Sequence, residues 1–550
     1  MPDYDHIIIG AGSAGSVLAS RLTEDPGTRV LLLEAGGRDR HPLQLMPIAF
    51  IKVAEHRSYN WHYESEPEPG LDNRRLPIPR GKALGGTSSI NAMICIRGHR
   101  RDYDRWAEAG LHGWGYDDVL PYFKRLETSW RGETEFHGGS GPVRVSAIGG
   151  PDMLFEPLRE AAEAAGIPFC EDPNGATQDG ISRMEATIGG GKRSSTARAY
   201  LYPAMARPNL TVATGATTRR ILIENRRAVG VEYAQGGQTH RVRAAREVIL
   251  CGGAYNSPQI LMLSGIGPAD HLREHGITPV HDLPGVGQNL AEHPNILNDY
   301  RASGRAGLTR HLRMDRATML TSRWFLRKDG VFATNGTSAN VFLRSEPGLD
   351  RPDVQLTFLP VSNTARLWFP RMTATPDFAY SVRIGVLHPK SRGTVRLRSA
   401  NPADKPRIQF NMFTDPADMA AMIRGIRVTR DIYGRSPLRE LVSGEIFPGA
   451  AMEDDDALEA AIRGAAGHRS HPVGTCRMGT DNGAVVDAAL RLHGIDNLRV
   501  ADASIMPEII GGNTNVPTIM IGEKAADLVR NASPIQHHNR DALRAVHVPG

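Results

Sequence analysis

Gly10, Gly12, Gly15 and Glu34, near the start of the chain, have the types and spacing to hold a pyrophosphate and a ribose. Gly10 makes a tight turn, Gly12 opens the backbone to a pyrophosphate, and Gly15 lets a helix pack close to a strand. The N-terminus of that helix faces the anion and offers it free N–H groups. Glu34 can accept both ribose hydroxyls of an adenosine, and an acid here argues against a 2′-phosphate. The positioning elements follow from the pattern. Ile7 to Ile9 read as a buried parallel strand, and Ala14, Val17, Leu18, Arg21 and Leu22 have helical spacing. Arg29 to Leu33 read as a second strand that delivers Glu34. A lone G-x-G-x-x-G is a weak signal, but strand, helix, second strand and acid at the ~20-residue offset together define a dinucleotide site. NAD and FAD both satisfy it.

Composition narrows the class. At 550 residues the chain corresponds to about three to four domain-sized units. Hydrophobic residues at 40% and charged residues at 23% are globular values, so a large core is available. The net charge of +5 is small for this length and the charges are interspersed, which excludes a nucleic-acid-binding footprint. Arg97, Arg100 and Arg101 read as solvated or ion-paired surface. Cys95, Cys170, Cys251 and Cys476 are scattered without a C-x-x-C, so neither disulfides nor a metal site is expected. Met1-Pro2-Asp3-Tyr4 leads straight into the first strand, and no apolar run reaches the ~20 residues of a membrane span. The expectation is a cytoplasmic protein, with peripheral membrane contact left open.

After Ala35-Gly36-Gly37 a long polar and aromatic stretch through Trp61 looks like an excursion over the cofactor. It leads to Gly81-Lys82-Ala83-Leu84-Gly85-Gly86-Thr87-Ser88-Ser89-Ile90-Asn91. Glycine pairs among small hydroxyl residues let a backbone pass close to a flat or anionic ligand. A strand is expected from Ala92 to Arg97, and an amphipathic helix capped by Asp117 follows.

The segment from Gly81 to Asp104 resembles the first signature of the glucose-methanol-choline family of FAD oxidoreductases. Gly253 to Gly267, GAYNSPQILMLSGIG, is similar to the second along its whole length. The resemblance runs from residue 4 to about 533 and implies FAD. It places Ser13, Ala14, Ala35, Trp61, Gly81, Gly86, Thr87, Asn91, Ala92 and Met93 around the cofactor. Thr218, Ala254, Asp502, Ala503, Asn515 and Val516 complete that set. Two positions depart from the pattern. Cys95 stands where an aromatic is usual, and Ile90 stands where members with a covalent flavin have histidine, so the flavin is expected to be noncovalent.

His471-Pro472-Val473-Gly474-Thr475 matches the family's catalytic-histidine segment, and Gly511-Gly512-Asn513-Thr514-Asn515 matches the segment of the second catalytic residue. Asn513 aligns with that residue, with Asn515 as the alternative. The resemblance implies oxidation of an alcohol to a carbonyl, with His471 as base, Asn513 on the substrate oxygen and hydride passing to flavin N5. Histidine suits the first task because its pKa lies near working pH. The last helix, expected from Pro517 to Arg530 with Asn515 as a cap, would stabilise charge developing on the flavin. Arg469 is unusual beside the histidine, and binding an anionic group, assisting oxygen and pointing to solvent all stay open.

The expected fold is a discontinuous α/β FAD-binding domain of Rossmann type, residues 1–150, 193–300 and 467–533. An α+β substrate domain on an antiparallel sheet is expected from 151–192 and 301–466. A tail, 534–550, with His537 and His538, reads as a mobile terminus rather than a metal site. The partners expected are a small-molecule alcohol and an electron acceptor, oxygen or quinone-type. Choline, aromatic and aliphatic alcohols stay open. A quaternary ammonium wants aromatic faces and a carboxylate, and sequence cannot assemble that cage from residues such as Trp324, Trp368 or Phe369. An FAD-containing hydroxynitrile-lyase-like enzyme on the same fold is the alternative reading.

Overall fold

The apolar runs Ile7–Ile9, Leu31–Leu33 and Val248–Leu250 are buried on both faces, the pattern of parallel strands covered by helices. In the computed structural model, which describes residues 3–531 apart from 363 and 375, they form the centre of a seven-stranded sheet. Its order is Leu210–Thr214, Val30–Glu34, Tyr4–Ile9, Gln238–Leu250, Arg227–Gln235 and Thr217–Glu224. Gln238–Leu250 serves two partners along its length. Its first part pairs antiparallel with Arg227–Gln235, and its last part lies parallel to Tyr4–Ile9 and to Leu498–Val500. The expected tail lies outside the described residues.

Helix Ser13–Leu22 packs on this sheet, and Asn515–Arg530 lies beside that helix. Gly522 permits the approach, since a Cβ there would sit 3.0 Å from the Cα of Ala14. The Ser13 hydroxyl donates to Asn515 Oδ1 at 2.8 Å, so the first turns of both helices meet.

The second sheet is also seven-stranded. Its order is Val442–Phe447, Pro294–Ala302, Ala379–Val386, Val354–Leu359, Ala339–Leu343 and Gly180–Arg183, with Gly467–His468 pairing to Pro294–Ala302. All of these pairs are antiparallel. Helix Pro416–Tyr433 covers one face, and a Cβ at Gly425 would come within 2.6 Å of Ile384, so the helix packs closely there.

Several expectations need correction. Pro294–Ala302 and Gly467–His468 join the second sheet, so the boundaries near 300 and 467 shift at both ends. Ala92 to Arg97 is not a strand; only Ile94 makes an isolated bridge, to Ala186. The helix Tyr116–Leu126 starts after Gly115, and Asp118 rather than Asp117 accepts the Gly115 N–H, because Asp117 is drawn to Arg100. Asn515 is the first residue of the last helix and not its cap, its side chain being taken by Ser13. Arg97 is buried rather than on the surface, 2.6 Å from Glu127.

Candidate active site

Between the sheets lies a cavity of about 2320 Å³. One part of its wall is the glycine-rich opening. Gly10 has φ +100°, and a Cβ on it would meet the Cys251 carbonyl oxygen at 2.4 Å. A Cβ on Gly15 would lie 1.9 Å from the Gly10 carbonyl oxygen, which makes this the closest helix-to-turn packing in the motif. Gly12 differs: a Cβ there meets nothing within 4 Å, so its backbone faces open cavity. Glu34 is held by two donors, Ala11 N–H to Oε2 at 3.0 Å and Gly36 N–H to Oε1 at 2.7 Å. Burial pushes its pKa up to about 7 against those hydrogen bonds.

The sequence-expected residues largely converge here. Gly10, Gly12, Ser13, Ala14, Glu34, Ala35, Trp61, Gly81, Gly86, Thr87, Asn91, Ala92, Met93, Thr218, Ala254, Asp502, Ala503, Asn513, Asn515 and His471 all line the cavity. Gly15 and Val516 stand behind the wall, Gly15 against Gly10 and Val516 in the core. Asp502 is fully engaged, Oδ2 accepting from Gly253 N–H at 2.8 Å and Ser257 Oγ at 2.6 Å, and Oδ1 from Ser504 N–H at 2.8 Å. It therefore anchors the turn that begins the second signature helix, Gly253–Leu263.

At another part of the wall, the segment that follows Gly467–His468 of the second sheet carries His471, and the loop before Asn515–Arg530 carries Asn513. The pairing of Gly467–His468 with Pro294–Asn295 continues as Arg469 N–H to His293 O at 3.0 Å and Val473 N–H to Ala291 O at 3.0 Å. Ser470 takes a left-handed φ of +64° between them, a conformation that costs about 1–3 kcal/mol outside glycine. Glu292 receives the His471 N–H on both carboxyl oxygens, at 2.7 and 2.9 Å, and burial pushes its pKa up to about 8. Sequence reading did not single out Glu292 or His293. A buried acid beside a histidine is the only local sign they carry, and their partners lie far along the chain.

The tautomer of His471 follows from a chain of hydrogen bonds. Burial pushes His293 down to about 3 and His471 well below its ordinary value, so both rings are neutral. His293 Nε2 is 2.9 Å from the Leu387 carbonyl oxygen, which only accepts, so Nε2 carries the proton. His293 Nδ1 is then an acceptor, and His471 Nδ1, 2.9 Å away, must donate to it. His471 Nε2 is left unprotonated. Asn513 Nδ2 donates to that nitrogen at 3.0 Å, while Asn513 Oδ1 is buried without a partner among the described residues. A neutral base beside an amide N–H donor can hold and deprotonate a hydroxyl that donates to the ring nitrogen and accepts from the amide.

The donor set fits a flavin dinucleotide. Gly12 is open, the Glu34 carboxylate is oriented, two helix N-termini converge, and Asn513 keeps an orphan polar atom. Together with the neutral base, these features define a cofactor-dependent oxidoreductase. Residues 4–295 and 389–522 match the two parts of the GMC oxidoreductase family model. The chain belongs to the GMC oxidoreductase family, and its cofactor is FAD. An oxygen-dependent choline dehydrogenase of Rhizobium etli is 44% identical over 539 residues, covering 98% of this chain and 97% of that protein. One of Brucella anthropi is 43% identical over 541 residues, covering 98% of each. Among solved structures, pyridoxine 4-oxidase from Mesorbium loti has a TM-score of 0.86 at 31% identity, covering 97% of this chain and all of the other. A formate oxidase has a TM-score of 0.89 at 30% identity, covering 96% of this chain and 98% of its own. The chain is thus an FAD-dependent oxidoreductase acting on CH–OH donors.

Proposed function

We propose that this enzyme oxidises a primary alcohol to an aldehyde, with His471 as the base. The observation that carries the reading is the unprotonated His471 Nε2, 3.0 Å from the Asn513 amide and lining the cavity. A substrate hydroxyl placed there donates its proton to Nε2 and accepts from Asn513 Nδ2. The proton then rests on a ring whose other nitrogen is already tied to His293, so no reorientation is needed. His293 and Glu292 act as positioning residues, the first fixing the ring and the second the backbone that carries it.

Glu34, Gly12 and the two helix N-termini would hold FAD, which when bound supplies the two-electron acceptor for the carbon-bound hydride. The absence of a histidine at Ile90 supports noncovalent attachment. Oxygen or a quinone-type compound takes the electrons onward, and the names of the Rhizobium and Brucella relatives support oxygen. Anaerobic titration of the flavin-loaded enzyme with a panel of primary alcohols tests the proposal. Bleaching of oxidised flavin is expected, and its absence with every alcohol would favour the lyase reading.

A further inference from the structure

The guanidiniums of Arg383 and Arg469 line the same cavity as His471. Arg469 is laid out flat on the second sheet. Its Nη1 donates to Gln355 Oε1 and its Nη2 to Thr357 Oγ1, both at 2.8 Å. It fills the space over Gly385, where a Cβ would come within 2.4 Å of Nη1. Arg383 stands two residues before Gly385 on Ala379–Val386, so both positions share one face of the strand. Thr357 is the cross-strand partner of Arg383 and Gln355 that of Gly385. The two guanidiniums therefore occupy adjoining places on the sheet face that borders the cavity.

Neither is neutralised. Among the described residues Arg383 has no hydrogen-bond acceptor and no carboxylate, and Arg469 has only the two neutral acceptors. Burial lowers the pKa of both, and the charge of Arg383 bears on Arg469 and on His471. Glu292 is the carboxyl that reaches Arg469, but its oxygens face the N–H groups of His293 and His471, and burial raises its pKa to about 8. Trp324, Trp368 and Phe369 do not line the cavity; the aromatic residues that do are Phe50, Trp61, Tyr63, Tyr255 and Phe332, and the Lys82 ammonium already stands 4.5 Å from the centre of the Trp61 ring. Trp324 is committed to the Gly191 carbonyl and to Lys328 above its ring.

We infer that Arg383, with Arg469 beside it, binds a carboxylate on the alcohol substrate, and that this enzyme prefers carboxylate-bearing primary alcohols to choline. Arg383 is half-buried at the cavity wall, where a carboxylate completes it, and a guanidinium fork matches a carboxylate in bidentate fashion. A trimethylammonium group in the same place meets two like charges, which is selection by repulsion. The inference rests on the proposed alcohol oxidation and adds its substrate class.

The test uses the holoenzyme and three alcohols: 4-(hydroxymethyl)benzoate, benzyl alcohol and choline. Anaerobic flavin bleaching gives the half-saturating concentration and limiting rate for each, and 4-methylbenzoate, which carries no hydroxyl, is titrated against the flavin spectrum. The acid is expected to reduce the flavin with an efficiency on the order of 30- to 100-fold above benzyl alcohol, and choline least well. Arg383→Gln should remove most of that ratio and the 4-methylbenzoate response, and Arg383→Lys should restore part of both. A preference for choline or benzyl alcohol in the wild type overturns the inference. So does an Arg383→Gln enzyme that keeps the acid preference while its flavin potential changes, which would assign the guanidinium to the cofactor. Should no alcohol bleach the flavin, the oxidation reading fails on its own, and Arg383-dependent binding of 4-methylbenzoate still decides the anion site.

Discussion

His293 Nδ1 lies 2.9 Å from His471 Nδ1 with the two rings 88° apart, and the Leu387 carbonyl on the far side of His293 fixes the direction of the proton between them. That contact decides which nitrogen of His471 is a base. Replacing His293 with alanine should lower the rate of flavin reduction by about 10²-fold, because His471 is then free to place its proton on Nε2. His293→Asn, which retains an acceptor, should recover part of the rate. A stopped-flow pH profile separates this from simple damage, since a lost tautomer lock changes the profile as well as the rate.

His471→Ala should leave FAD bound and reduce flavin reduction by about 10²- to 10⁴-fold. Wild-type enzyme should keep its activity as pH falls through 6.5. The His471 pKa is lowered by burial first, and then by His293 and Arg469, so the ring stays unprotonated until well below that pH. A kcat/KM profile that breaks at the ordinary histidine value contradicts this assignment.

The two glycines of the opening motif should fail in different ways. Gly12→Ala adds a methyl to open cavity, so the fold should persist with FAD affinity reduced about tenfold or more. Gly15→Ala drives a Cβ into the Gly10 carbonyl and should cost about 1–3 kcal/mol of stability. Flavin content per chain and urea unfolding midpoints distinguish the two outcomes.

Much of this was legible because it is local. Gly10 to Glu34 is one strand, one helix and one strand, and its chemistry is written within a single βαβ unit. His471 and Asn513 were reachable through segments of recognisable family pattern. Glu292, His293 and Arg383 were not, because antiparallel pairing brings them to His471 from strands far apart in sequence. Asn515 misled for the same reason: its side chain answers to Ser13, 502 residues away, and not to its own helix. At Ala92 to Arg97 the apolar residues Met93, Ile94 and Ile96 are buried in a cluster with Ala186, Ile188 and Phe342, which mimics a strand in sequence.

Glu292 makes a pH-dependent prediction about stability. Its pKa is about 8 in the folded chain against an ordinary 4.5, with burial as the main cause. A raised carboxyl contributes stability that is fully present below pH 4.5 and is lost as pH rises through 8. Glu292→Gln lacks that loss, so it should gain roughly 2–4 kcal/mol relative to wild type between pH 4.5 and 8. Urea melts of both proteins at pH 5 and pH 8.5 measure the gap.

In the proposed reaction His471 deprotonates an alcohol whose hydride reduces the flavin. Anaerobic mixing of flavin-loaded enzyme with a primary alcohol and with its α-deuterated form tests it most directly. Full bleaching of oxidised flavin is expected, slowed by deuterium and nearly abolished in His471→Ala. Bleaching that His471→Ala leaves intact, or a flavin that stays oxidised with every alcohol tried, would contradict it.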